Sequence, residues 1–392
     1  MIKPVRYVLL LLSACLLLIG CTGKNDEELW GIYQEPIEPK PYPDDSGVKE
    51  IELLWSQDVG RGDSSGYALF RPDYSEGYLY TADRGGQVYK LNAEDGGIVW
   101  STDLDDSIFS GVAVGDGVVV VTKDNGEVVA ISDETGEVVW TSNVKRQFSS
   151  IPVVGNTRVV VRTADGLIIG LNSRSGQSIW RLEKPMPGLT VHGDSTPTIV
   201  GDAVLFGLAT GSLVAANVIN GQEYWEAEIA YIRGTNEIER LIDSDTPAIV
   251  KGNFVFTAAY GNHIIALRIE GAETVWKSPV STRLPLVIAG DKLFSTDQLG
   301  AVVALDVKTG TGLWKQDAFQ GRGVSHPVVV ADRVVIGDAE GRLHSLNIET
   351  GALVQSRKAA SGAITALSMG VNKDNQFTAF SSEGKVATFS LQ

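Results

Sequence analysis

The chain has 392 residues, 43% of them hydrophobic and 21% charged, with a formal net charge of −15. That acidity excludes a nucleic-acid partner, because phosphate binding needs a basic surface. Cys15 and Cys21 are the only cysteines. A chain that loses Cys15 and has Cys21 modified has no disulfide, no thiol nucleophile and no cysteine-based zinc site.

Residues 1–20 read as a targeting segment. Lys3 and Arg6 precede the apolar run "YVLLLLSACLLLIG", Tyr7 to Gly20, too short for a membrane span. The run ends in Leu18-Ile19-Gly20-Cys21, which resembles a bacterial lipobox. That resemblance implies cleavage before Cys21 and lipid on its thiol and new amino group; the competing reading is an ordinary signal peptide that happens to carry a Cys. Removal of two positive charges leaves the mature chain at −17. Several acyl chains give a stable anchor where one binds only marginally. Thr22, rather than Asp, after the Cys suggests the outer membrane as its destination. Residues 21–47 are polar and carry Pro36, Pro39, Pro41 and Pro43. Prolines favour extended, semi-rigid chain, so this stretch is expected to be a tether, with Trp30 and Tyr33 as local docking candidates.

An internal repeat organises residues 48–392. Trp100, Trp140 and Trp180 stand 40 apart, and Trp225, Trp276 and Trp314 follow at intervals of 45, 51 and 38. Most close a Gly-x-x-x-Trp unit, as in "GEVVW" and "GQSIW"; Ala272 takes the Gly slot in "AETVW", and Gln355 takes the Trp slot in "GALVQ". A second element, Gly-x-apolar-x-x-apolar, begins at Gly86, Gly126, Gly166, Gly211, Gly300, Gly341 and Gly384, with Asn262 in the remaining copy. Asn is the next-best residue at positive φ, so Asn262 is expected to be left-handed. Each repeat reads as four strands. Runs such as "GVAVGDGVVVVT" give two strands around a Gly-Asp-Gly turn; the recurrent glycine opens the third, and Asp/Thr-Gly turns into the fourth, which carries the Trp.

A four-stranded unit of this length is a propeller blade. Gly384 to Leu391 supplies the third strand of an eighth blade before the chain stops. Its fourth strand is expected from "IELLWSQDV", Ile51 to Val59. Pairing the two chain ends removes two exposed edges. The expected fold is therefore all-β: one eight-bladed propeller of four-stranded antiparallel blades, the last closed by the N-terminal strand.

The intervals Trp180–Trp225 and Trp225–Trp276 exceed 40 by 5 and 11. The extra length falls in two successive inter-blade links, which lie on the face that also carries the turns between second and third strands. Excess loop on a rigid scaffold is where binding residues are usually found. The first link offers Leu189, Val191 and His192; the second offers Glu237, Glu239, Arg240, Asp243 and Asp245. An apolar anchor beside a charged rim suits a protein partner with an apolar patch flanked by Lys or Arg. The alternative is that Asp243 and Asp245 only cap turns before "TPAIV".

The units "LNAEDGGIVW", "ISDETGEVVW" and "LDVKTGTGLW" resemble the quinoprotein-type propeller repeat, shared by quinone-dependent dehydrogenases and the BamB family of the outer-membrane barrel-assembly machinery. The resemblance to BamB covers lipobox, tether and all eight blades, and is most specific in "MPGLTVHGDSTPT" and "GTNEIERLIDSDTPAIV". It implies a non-enzymatic, cofactor-free scaffold, lipid-anchored at the outer membrane with its propeller in the periplasm. The implied partners are the POTRA domains of BamA, contacted through Leu189, Val191, Asp243 and Asp245, and unfolded outer-membrane proteins as clients. His192 departs from the family pattern, which has Arg there; His is shorter and mostly neutral near neutral pH. The dehydrogenase alternative resembles longer chains with a vicinal Cys pair, calcium ligands and a catalytic Asp, a set not found in this sequence. A scaffold of another envelope complex would look the same from sequence.

"GLTVHGDSTP", Gly188 to Pro197, holds His192, Asp194 and Ser195, the residue types of a hydrolase triad. They are too close in sequence to adopt that order easily, and no G-x-S-x-G elbow is present. Gly193, Asp194 and Pro197 are turn formers, and the stretch is expected to be a turn presenting Leu189, Val191 and His192. His263, His326 and His344 fall in different blades by this reading, without metal-ligand spacing. Arg84 and Asp338 are blade-end charges that either line the central channel or solvate a face.

Overall fold

The computed structural model describes residues 37–43, 51–62, 70–186, 195–230, 246–259, 261–369 and 374–392. Among them, 32 strands form eight four-stranded antiparallel sheets, the eight-bladed β-propeller that the repeats predict. Blades one to seven span residues 73–103, 113–143, 153–183, 198–228, 249–278, 287–316 and 328–358. In each, four strands, A to D, follow in chain order, and A strands of neighbouring blades adjoin around the centre. The eighth blade takes strands A to C from 364–390 and strand D from Glu52–Asp58. Antiparallel register runs from Glu52↔Ser390 to Asp58↔Lys385, so the ring is closed by the two chain ends, as expected.

Local chemistry explains the hairpins. The A–B turn of blade two has positive φ at both central residues, Asp116 (51°) and Gly117 (80°). That is the geometry of a type I′ turn, whose twist matches the flanking strands. Strand B is buried along nearly its whole length in every blade, as in Val118–Thr122. It is covered on both faces by neighbouring blades, which is why these strands are continuous apolar runs rather than alternating ones.

The core is a ring of seams rather than one nucleus. Between blades three and four, Val160, Ile168 and Trp180 pack on Val204, Phe206 and Val214. The D-strand tryptophans act across these seams in a fixed way. Each indole N–H donates to a carbonyl in the C–D turn of the next blade: Trp55 to Ala93 (3.2 Å), Trp100 to Asp133 (3.0 Å), Trp140 to Ser173 (2.8 Å) and Trp180 to Val218 (2.9 Å). Trp225, Trp276 and Trp314 do the same to Ile269, Val307 and Ile348 (2.9, 2.9 and 3.0 Å). The glycine of the accepting turn is needed twice over. At Gly221, φ is +74°, and an added Cβ would sit 2.7 Å from the Trp180 ring. Gln355 replaces the Trp in blade seven for a physical reason: blade eight has no C–D turn to clasp, because its C and D strands come from opposite ends of the chain.

One expectation is corrected. The B–C turn of blade five takes the left-handed conformation at Gly261 (φ 70°) rather than at Asn262. The preceding glycine carries the backbone requirement, which frees the next position for a residue with a side chain.

Candidate protein-binding face

The D–A links and B–C turns share one face. A recurrent hydrogen bond fixes this: the first residue after strand D donates to the carbonyl of the residue that opens strand C. It joins Leu104 to Gly86 (3.0 Å), Val144 to Gly126 (3.0 Å), Lys184 to Gly166 (3.1 Å), Ile229 to Gly211 (2.9 Å) and Ala359 to Gly341 (2.8 Å). These links therefore start by lying down on their own blades. Long links, residues 184–197 and 229–248, leave blades three and four in succession; the link from blade eight to blade one, residues 59–72, equals the first of them in length.

The first link is held at its start by charge and packing. Lys184 Nζ lies 2.6 Å from Glu223 Oε2 and 2.9 Å from Glu226 Oε2, both on strand D of blade four. Burial alone would lower the lysine pKa, but its hydrogen bonds to the two carboxylates outweigh that and the net shift is upward. The same hydrogen bond holds the Glu226 carboxyl below its usual range. The glutamates stay about one-third exposed, so the clamp contributes about 1 kcal/mol rather than the full Coulomb energy. Met186 then packs over Gly166, where an added Cβ would lie 2.7 Å from its Cγ.

The far ends of the two links are tied together. Ser195 and Thr246 are both fully buried. Ser195 Oγ donates to the Thr246 carbonyl at 3.3 Å, and Thr257 Oγ1 donates to the same oxygen at 3.1 Å. Thr246 is 51 residues from Ser195, so the bond couples the end of one link to the end of the other. The second link also has its two ends in one apolar cluster, with Ile229 and Ala230 packed with Ala248, Val255 and Ala259. His263 stands beside it; burial, with Lys277 near, pushes its pKa down against a hydrogen bond to the Ile229 backbone.

The partner-binding candidates Leu189, Val191, His192, Glu237, Glu239, Arg240, Asp243 and Asp245 lie outside the described residues, as do Asp194 and the lipidation candidate Cys21. Ser195, the one described member of the His-Asp-Ser stretch, is a buried structural tie. The structural residues Lys184, Ser195 and Thr246 carried no sequence signal beyond their place at the ends of long intervals.

The other singled-out residues resolve individually. Arg84 forms a half-exposed pair with Asp124 of the next blade's B–C turn, at 3.2 Å. Asp338 is fully buried and bonded to His344 Nε2 at 3.1 Å. His326 and His344 both fall at the seventh blade, which corrects the expectation of different blades: His326 lies in the link, two residues before strand A, and His344 sits on strand C. They do not act together. His326 Nε2 is 2.8 Å from the Leu367 carbonyl, which can only accept, so the neutral ring carries its proton there. Burial and the neighbouring Arg71 push its pKa down to about 4. Among the described residues no group of three or more His, Cys, Asp or Glu side chains is placed to hold a metal.

The comparisons with known proteins agree with this architecture. The family model described as "Outer membrane protein assembly factor BamB" matches residues 50–110 and 107–316. The chain is 41% identical to outer membrane protein assembly factor BamB of Legionella pneumophila (strain Paris), over 91% of this chain and 92% of that one. It superimposes on the crystal structure of BamB from Moraxella catarrhalis with a TM-score of 0.79 at 25% identity, covering 87% of this chain and all of that one. Quinohemoprotein alcohol dehydrogenase from Comamonas testosteroni gives a TM-score of 0.69 at 14% identity, over 94% of this chain and 82% of that one, a likeness of fold alone. The chain belongs to the BamB family of outer membrane protein assembly factors.

Proposed function

We propose that this chain is a non-enzymatic scaffold subunit of the outer-membrane β-barrel assembly machinery. It is anchored in the outer membrane through acylated Cys21, with its propeller in the periplasm, and it holds the POTRA domains of BamA on the face carrying the two long links. The observation that carries the reading is the tie between those links: Ser195 Oγ on the Thr246 carbonyl makes two loop bases into one rigid unit. Binding residues gain affinity when their support is fixed before the partner arrives. Leu189 and Val191 supply the apolar anchor, and Asp243 and Asp245 the acidic rim, with Glu237, Glu239 and Arg240 around them. His192, in place of the family Arg, makes that one contact weaker or dependent on pH.

A pull-down from envelope extracts tests this, comparing wild type with Asp243→Arg/Asp245→Arg after a melting control. Retention of a BamA-like barrel protein by wild type and its loss by the folded variant are expected. Retention by both removes the site; retention by neither passes the function to another envelope complex. Mass spectrometry of the mature N-terminus tests acylation of Cys21.

Client binding has its own support. Strand D is the outer edge of each blade and exposes apolar side chains: Ile98 and Val99 in blade one, Val138 and Val139 in blade two, and Leu313 in blade six are all 48–50% exposed. Such an edge can add a strand from an unfolded barrel protein. No measurable affinity for urea-unfolded outer-membrane proteins would remove this part of the reading.

A further inference from the structure

Residues 37–43, "IEPKPYP", form no strand, yet they are built into the propeller at a specific place, where the link from blade six to seven meets the B–C turn of blade seven. Lys40 Nζ pairs with Asp317 at 2.7 Å. The Arg322 guanidinium donates to the Lys40 carbonyl, lies 3.5 Å from the centre of the Tyr42 ring and pairs with Glu340 at 2.8 Å. Arg342 lies 4.9 Å from the same ring. The Tyr42 hydroxyl donates to Asp338 Oδ2 at 2.7 Å, and its ring stands 5.8 Å from that of His344, which packs on Phe319 at 4.4 Å. Burial and the Asp338 carboxylate push the Tyr42 pKa up, so the hydroxyl stays a donor.

The receiving side is itself ordered and mostly buried. Asp338 Oδ1 accepts the backbone N–H of Glu340 (3.0 Å) and of Arg342 (2.8 Å), leaving Oδ2 for His344 and Tyr42. Asp83 and Asp297 open the corresponding turns of blades one and six and bond their own turn in the same way, but their Oδ2 atoms take the Arg61 N–H and Lys315 Nζ. The cradle of blade seven is therefore a departure from the repeat. Gly321 belongs to it: an added Cβ would lie 2.4 Å from the Ile37 carbonyl oxygen.

We propose that Ile37–Pro43 is a latch that clamps the N-terminal tether to the blade six–seven sector of the propeller, with Tyr42 held between Arg322 and Asp338 as its key. The latch fixes where the tether leaves the disc. That point is on the face of D–A links and B–C turns, the same face as the two long links. Its consequence for geometry rests on the reading of Cys21 as the anchored residue. Residues 22–36 span at most about 55 Å, whereas residues 22–50 would span about 100 Å. The latch thus roughly halves the length of free chain between the anchored residue and the propeller.

The test uses the full chain in envelope membranes with Glu38 replaced by the photo-cross-linker p-benzoyl-phenylalanine. Irradiation, trypsin digestion and mass spectrometry are expected to find Glu38 joined to the peptide Gln316–Arg322. Tyr42→Ala removes the cation–π contact and the charge-assisted hydrogen bond together, and is expected to lower the docked-to-free ratio at least about tenfold. Tyr42→Phe keeps the ring on Arg322 and should retain an intermediate yield. The segment lies outside every sheet, so both variants should keep the wild-type far-UV circular dichroism spectrum, with only a small drop in melting temperature from the lost docking. Cross-links from Glu38 scattered over several blades, or a yield unchanged in Tyr42→Ala, would overturn the latch. The acyl mass at Cys21 is read separately, so failure of the anchor and failure of the latch are distinguishable.

Discussion

The seam between blades three and four gives the sharpest test of the scaffold. Gly221→Ala places a methyl group 2.7, 2.8 and 3.0 Å from Cδ2, Cε3 and Cγ of Trp180, distances that force the ring to move. Left-handed backbone at an Ala costs about 1–2 kcal/mol, partly offset by about 0.4–1 kcal/mol from a stiffer unfolded chain. Displacing the ring weakens the indole bond to Val218, worth about 1 kcal/mol, and opens part of a contact whose full loss costs about 3–5 kcal/mol. The expected destabilisation is about 2–4 kcal/mol. Blade five supplies the internal control, because Ala272 occupies the same slot at φ 53°. There the preceding Trp225 keeps its bond to Ile269 but is only partly buried, whereas Trp180 is 7% exposed. Ala272→Gly should therefore change stability by less than about 1 kcal/mol. Urea unfolding followed by both tryptophan fluorescence and far-UV circular dichroism measures the two variants. A Gly221→Ala shift below about 0.5 kcal/mol at unchanged m-value would refute the clasp as a source of stability.

His326 predicts a pH dependence. Its folded pKa, about 4, lies below that of the unfolded chain, about 6.5. Its contribution is complete above pH 6.5 and is lost as pH falls towards 4, by roughly 3 kcal/mol in all. His326→Gln, which keeps a donor for the Leu367 carbonyl, should flatten the stability profile in that window; equal slopes for variant and wild type would remove the assignment. Ser195→Ala should cost only about 1 kcal/mol of stability, since Thr257 still donates to the Thr246 carbonyl, yet it should reduce recovery of the barrel partner in the pull-down. Undiminished recovery would show that the loop bases need no tie.

The architecture was legible because it is periodic. A Trp every 40 residues reports the D strands, and the recurrent glycine reports the start of strand C; both are imposed by backbone geometry that repeats blade after blade. Lengthened intervals located the two links for the same reason. What could not be read was made by side chains meeting across long separations. Tyr42 and Asp338 are 296 residues apart, and Ser195 and Thr246 differ by 51; no spacing rule marks either pair. Trp30 and Tyr33, the local docking candidates, lie outside the described residues, while the contacts seen join Lys40 and Tyr42 to charges on the blade six–seven link and blade seven. Asn262 misled because residue preference was assigned to the motif position, and the adjacent Gly261 absorbed the positive φ.

The two faces of the disc divide these features unequally. The seven indole-to-carbonyl clasps all end in C–D turns, on one face, and are nearly interchangeable from blade to blade. The departures from the repeat collect on the other face: the long links after blades three and four, the Ser195–Thr246 tie, the Lys184 clamp and the Tyr42 cradle. Stability in a closed ring depends on every seam, so selection for folding alone would keep both faces regular. The gathering of the long links and their ties on one face agrees with the binding face proposed above. It follows that substitutions at the clasps should lower melting temperature without changing partner recovery from folded protein, and substitutions at the departures should lower partner recovery at a stability cost of no more than about 1 kcal/mol. A clasp variant that melts normally but loses the partner would break that division.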